Sequence, residues 1–141
     1  MLKRMLSDMG ARETRPGKMS YAEARASLER HAHEARLFLA ARADVEPEIL
    51  YYLAGDETAD VRRLVAANPS TPQQANKILA GDGDEEVRYA LACKVGRQVA
   101  DPASELTPRS HALAIEVAER LAHDISARVR TALALTGARV H

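Results

Sequence analysis

The chain has 141 residues with 20 Lys and Arg against 20 Asp and Glu, which suits one ordinary domain and leaves no excess charge for gripping a polyanion. It is 46% apolar and 28% charged, enough to bury a core, and 27 alanines beside 7 glycines and 6 prolines favour helix over strand. A single cysteine, Cys93, excludes an internal disulfide and any all-Cys zinc or iron–sulfur site.

Residues 1–20 are a segment of their own, with five basic residues against two acidic ones, so residues 21–141 are net negative by three. Leu2, Met5, Leu6 and Met9 fall at helical spacing before Gly10 and Arg15-Pro16-Gly17 interrupt the pattern. A tail with a short amphipathic helix is expected there, offering a route to self-association. Residues 21–141 form the helical domain. Its helices are predicted at about 21–31, 34–42, 47–54, 59–67, 72–80, 85–98, 108–123 and 126–136. Thr71-Pro72 and Thr107-Pro108 each set a capping hydroxyl ahead of a Pro in the first turn. Asn68-Pro69 ends the helix before it, and Gly55 and Gly81 are expected as C-caps. There is no run of 18 apolar residues and no signal-peptide pattern, so a cytoplasmic protein without a membrane span is expected.

One phrase recurs: Leu53-Ala54-Gly55-Asp56, Leu79-Ala80-Gly81-Asp82 and Leu121-Ala122-His123-Asp124. Each Asp is followed six residues later by an Arg (Arg62, Arg88, Arg130), itself preceded by Val61, Val87 or Val129. Beyond each Arg come an aliphatic residue and an alanine, as Val65-Ala66, Leu91-Ala92 and Leu133-Ala134. A weaker copy upstream carries Arg36 and Leu39-Ala40, with Arg30 at the Asp position. The units step by 26 residues and then by 42, so the last carries about 16 extra residues, roughly four helical turns. Two short helices cannot bury an apolar face alone, so the units are expected to stack on a shared core. Val61, Leu64, Val65, Val87, Leu91, Val129 and Leu133 are its predicted members, and the alanines at 66, 90, 92, 132 and 134 allow close helix approach. Asp56, Asp82 and Asp124 with Arg62, Arg88 and Arg130 are expected to form a structural ladder. In it each carboxylate meets helix N-terminal amides and an Arg of its own or the adjacent unit. A catalytic acid would not recur identically in three consecutive units.

The Asp-x(4)-Val-Arg element and the paired short helices resemble HEAT-type repeats. The Asn68-Pro69-Ser70-Thr71-Pro72 run with Leu-Ala-x-Asp looks like the leucine-rich repeat variant. Ile49-Leu50-Tyr51-Tyr52-Leu53-Ala54, Val61-Arg62-Arg63-Leu64-Val65-Ala66-Ala67-Asn68 and Glu86-Val87-Arg88 together are similar to a family of uncharacterised bacterial proteins with HEAT-like α-solenoids. The resemblance spans about residues 20–136. It implies an all-α, right-handed stack of antiparallel helix pairs, and family members run longer than this chain, so a fragment or short variant is expected. The iron–sulfur site of one leucine-rich repeat variant protein needs an N-terminal Cys cluster that this chain lacks.

No cofactor or metal is expected. His31 and His33 point to different faces of a helix, and Asp82-Gly83-Asp84-Glu85-Glu86 lacks the Gly and Glu positions of a calcium loop. Cys93 follows Leu91-Ala92 and has no adjacent base, which fits a small buried hydrophobe. No Gly-rich phosphate loop, Gly-x-Ser-x-Gly elbow or His-Glu-x-x-His occurs. By contrast, the residue after each repeated Arg varies as Leu37, Arg63, Tyr89 and Thr131, as an outward face does. Arg63 and Tyr89 are therefore the predicted contacts for a protein or peptide, with Tyr51 and Tyr52 as further candidates. The expected function is a non-catalytic binding scaffold. The alternatives are a nucleic-acid binder or DNA glycosylase-like enzyme, disfavoured by the net negative repeats and absent Trp, and a lyase- or chaperone-like HEAT protein.

Overall fold

The computed structural model describes residues 20–104 and 106–138, and among these every regular element is an α-helix. In chain order they are α1 (Tyr21–Ala41), α2 (Pro47–Leu53), α3 (Ala59–Ala67), α4 (Gln73–Leu79), α5 (Glu85–Ala100), α6 (Pro108–Ala122) and α7 (Ala127–Ala138). The amphipathic pattern at Leu2, Met5, Leu6 and Met9 lies outside the described residues. No described helix is long and apolar enough to cross a membrane.

The chain divides into two compact units, Met1–Leu39 and Ala40–His141. In the first, Ser20 opens α1 with a capping box: its hydroxyl accepts from the Glu23 amide at 3.1 Å, and its own amide donates to the Glu23 carboxylate at 3.3 Å. The helix then runs unbroken through the boundary predicted near residue 33. No Gly or Pro occurs between Gly17 and Pro47, and the segment is rich in Ala, Leu, Glu and Arg, so nothing interrupts it. Ser27, His31 and Ala35, four residues apart, form its buried stripe.

In the second unit the short helices arrange in two rows. Helices α2, α4 and α6 touch in succession along one row, and α3, α5 and α7 along the other. Each outer helix also packs on the inner helix that follows it, as α2 on α3, α4 on α5 and α6 on α7. Leu50, Leu53, Val61, Val65, Leu79, Val87, Leu91, Val95, Val117, Leu121 and Val129 fill the space between the rows. Leu64 and Leu133, expected in the core, are only half-buried, and Ala134 is exposed. The extra residues between Asp82 and Asp124 lengthen the two helices there: α5 has 16 residues against 9 in α3, and α6 has 15 against 7 in α4.

Local chemistry departs from the sequence reading at two kinds of helix end. Thr107 caps α6 as expected, accepting from the Ser110 amide at 3.1 Å. Thr71 instead donates its hydroxyl back to the Val65 carbonyl at 2.8 Å, and α4 begins only at Gln73. Gly55 and Gly81 are not left-handed C-caps, because no described residue has positive φ. The helices tighten at their ends, with the amides of Gly55 and Asp56 reaching Tyr52 and Leu53, and those of Gly81 and Asp82 reaching Ile78 and Leu79. At Gly81 a Cβ would lie 2.7 Å from the Arg120 guanidinium, the far end of a flexible side chain that can move aside.

Candidate functional site

The repeated Asp and Arg residues build one geometry twice. Arg62 on α3 donates from Nε to the Asp82 carboxylate at 2.7 Å, and from Nη1 to the backbone carbonyl of Asp56 at 2.8 Å. Arg88 on α5 donates from Nε to Asp124 at 2.9 Å, and from Nη1 to the Asp82 carbonyl at 2.8 Å. Each guanidinium thus ties the backbone of its own unit to the carboxylate of the next. The carboxylates face inward, with the Asp82 and Asp124 side chains 7% and 6% exposed. Donating to Asp82 holds Arg62 above the usual guanidinium range.

The side-chain oxygens of the repeated Asp residues also shape the turns that start the inner helices. Asp56 accepts from the Thr58 amide at 3.0 Å, Asp82 from the Asp84 amide at 2.9 Å and Asp124 from the Ser126 amide at 2.9 Å. In each case the amide belongs to the residue two positions on, an Asx turn. The repeated Asp therefore stands three residues before the first helical residue and does not cap it. On α5 the cap is Asp84, which accepts from the amides of Glu86 and Val87.

A second polar cluster carries no mark in the repeated phrase. Lys94 on α5 is buried and points its ammonium at the Asn76 side-chain oxygen (2.7 Å), the Asn68 carbonyl (3.0 Å) and the Val65 carbonyl (3.5 Å). Asn76 in turn donates to Gln73 at 3.0 Å, and the Asn68 amide nitrogen reaches the carbonyls of Ala40 and Arg42 at 2.9 and 2.7 Å. The one signal in the sequence is a lysine on the stripe of Val87, Leu91 and Val95, where a hydrophobe is the default.

Burial pushes the Lys94 ammonium down from 10.5 to about 7. Between those values the unfolded chain holds a proton that the folded chain has shed, so stability rises with pH across this window. Urea unfolding of the wild type at pH 7 and pH 9, beside Lys94→Met, checks this. The wild type should gain on the order of 1 kcal/mol or more on the variant as the pH is raised.

The predicted contact residues fall on different rows. Arg63 on α3 and Thr131 on α7 are exposed, and Tyr89 on α5 is half-buried. Arg128 of α7 lies over the Tyr89 ring, 3.9 Å from its centroid, and also pairs with Glu86. Tyr51 and Tyr52 belong to the other row, on α2, and are 49% and 78% exposed. Tyr51 borders a shallow depression of about 310 Å³ with Pro47, Glu48, Pro72 and Gln74, at the starts of α2 and α4.

His31 is buried and His33 half-buried on α1, and no group of three metal-ligating side chains occurs among the described residues. Cys93, expected in the core, is half-buried. Comparison with known proteins returns no matching family model, no matching curated protein and no matching solved structure.

Proposed function

We propose that this chain is a non-catalytic α-solenoid of HEAT-like helix pairs that binds a protein or peptide along the row of α3, α5 and α7. The observation that carries the reading is a division of labour between adjacent residues. Arg62 and Arg88 are consumed in contacts between units, while one position on Arg63 is exposed and Tyr89 is half-buried beneath Arg128. A scaffold position that repeats and a neighbour that varies is what a stacked array needs if its surface selects a partner. Arg and Tyr also supply much of the energy at protein interfaces, through a charged planar fork and a large rigid ring. The chemistry present suits recognition: a stacked Arg128–Tyr89 pair, the Glu86 carboxylate and the Arg63 guanidinium offer polar contacts of both signs along one row.

The test starts from a partner recovered from cell lysate, with and without nuclease, and then measures its affinity directly. Arg63→Ala combined with Tyr89→Ala should weaken binding about tenfold or more. The melting temperature should shift by only a few degrees, since Arg63 is exposed and half-buried Tyr89 gives up its contact with the exposed Arg128. Retention of full affinity contradicts the placement and moves attention to Tyr51 and Tyr52. Binding abolished by nuclease supports nucleic acid instead.

A further inference from the structure

The residue six places beyond each repeated Arg is polar and buried: Asn68, Lys94 and Thr136. Asn68, at the end of α3, gives its side-chain nitrogen to the carbonyls of Ala40 and Arg42, and Lys94 reaches back in the same way to those of Val65 and Asn68. Thr136 turns back on its own helix. A neutral amide thus performs in one unit the joining that an amine performs in the next, so joining alone does not call for a group that titrates.

What Lys94 adds is a direction. An ammonium has three donors and no acceptor, so the Asn76 side chain has to face it with oxygen, as it does at 2.7 Å. That leaves the Asn76 nitrogen for Gln73, which presents its own oxygen at 3.0 Å. The Gln73 nitrogen then falls to Gln98, which accepts with its oxygen at 3.2 Å. Asn76 and Gln73 are buried on α4, whereas Gln98 is half-buried on α5, one turn beyond Lys94. One ammonium therefore sets the orientation of three amides, and the chain of donors runs from the interior to the surface.

A neutral amine in the same place has two donors and a lone pair. The Val65 and Asn68 carbonyls can take both donors, and the lone pair then faces Asn76, where an oxygen is repelled and a nitrogen donates. Once Asn76 turns over, Gln73 and Gln98 have to follow, because an unmet buried polar group is costly and turning each amide keeps every contact a hydrogen bond. The proton leaves to solvent and no covalent bond changes.

We propose that Lys94, Asn76, Gln73 and Gln98 form a protonation-set relay, in which the charge of the buried amine decides whether α5 offers solvent the nitrogen or the oxygen of Gln98. No charge acts on the amine from the helices around it. Asp60 and Arg63 on α3, Lys77 on α4, every titratable side chain of α6, and Arg128 and Arg130 on α7 are exposed, while Arg62 is held by Asp82. On α5 itself Arg88 is held by Asp124, Tyr89 and Cys93 are half-buried, and the remaining charges are exposed. Burial is what lowers the proton affinity of Lys94, to about 7. The relay is independent of the binding row proposed above.

NMR of the wild-type chain across neutral pH tests this without a substitution, following the Lys94 Nζ signal beside the side-chain amides. Those of Asn76, Gln73 and Gln98 should titrate together with the Lys94 midpoint. Above it, the Gln98 amide protons, now turned onto Gln73, should exchange about tenfold more slowly relative to those of exposed Gln74. Lys94→Met should silence all three amides. Gln73→Leu should leave Asn76 titrating and silence Gln98, which separates a relay from a general loosening of the fold. Amides that stay fixed while Lys94 titrates, or a Lys94 that keeps its proton throughout, overturn the proposal. So does a Gln98 that still follows pH in either variant.

Discussion

Gly96→Ala should destabilise this protein, by about 2 to 3 kcal/mol, although the same exchange inside an ordinary helix stabilises by up to about 1 kcal/mol. Gly96 lies within α5, where α7 crosses it closely. An added Cβ would stand 1.9 Å from the Thr136 hydroxyl and 3.1 Å from the Leu133 carbonyl. Thr136 cannot swing away at no cost, since its hydroxyl already donates to the carbonyl of Ala132 at 2.8 Å and lies 3.1 Å from that of Leu133. The two helices would have to separate, opening the contact that joins the last two units. Equilibrium denaturation measures the loss. Adding Thr136→Ala should restore part of it, because the hydroxyl contact is relieved while the Leu133 backbone contact remains.

Arg88→Ala should cost about 3 kcal/mol, and Arg62→Ala less. Arg88 is buried, and its loss leaves the Asp124 carboxylate, 6% exposed, without its cation and the Asp82 carbonyl without a donor. Leaving a buried charge unpaired is the expensive outcome, more so than losing the pair entirely. The Arg62 side chain is 21% exposed, so water can enter beside Asp82 and lessen the penalty. Thermal denaturation of the two variants should reproduce that order, with a drop for Arg88→Ala on the order of 10 °C. Equal small shifts for both would place the stability elsewhere.

The recurrence of Asp and Arg six residues apart made the ladder residues legible, but spacing alone cannot decide which Asp each Arg reaches. Six residues span the turn and the start of one helix, and both the same unit and the next lie within reach of a guanidinium. The folded chain divides the fork, giving the backbone carbonyl of the near Asp to Nη1 and the far carboxylate to Nε. The boundaries of α3 follow the predicted ones because Asn68-Pro69 ends it, whereas the expected break within α1 has no residue to cause it. Lys94 and Gly96 escaped notice for a common reason. Each is a cost in its own helix, and its compensation lies far along the chain, at Asn68 and Asn76 for the ammonium and at Thr136 for the missing side chain. The exposure of Tyr51 and Tyr52 was partly legible, since adjacent helical residues diverge by about 100° and two such rings cannot share one buried face.

The central claim is that the repeated Asp and Arg residues couple one unit to the next, and a double-mutant cycle on Arg88 and Asp124 tests it most directly. Arg88→Ala, Asp124→Ala and the double variant are unfolded in urea alongside the wild type. The Arg88 bond to the Asp82 carbonyl and the Asp124 bond to the Ser126 amide cancel in the cycle, leaving the contact between units. A coupling energy of about 1.5 kcal/mol or more is predicted, with the double variant less damaged than the two single losses combined. Losses that add to within about 0.5 kcal/mol would contradict the account, because the two residues would then stabilise their own turns independently and the units would be held together by apolar packing alone.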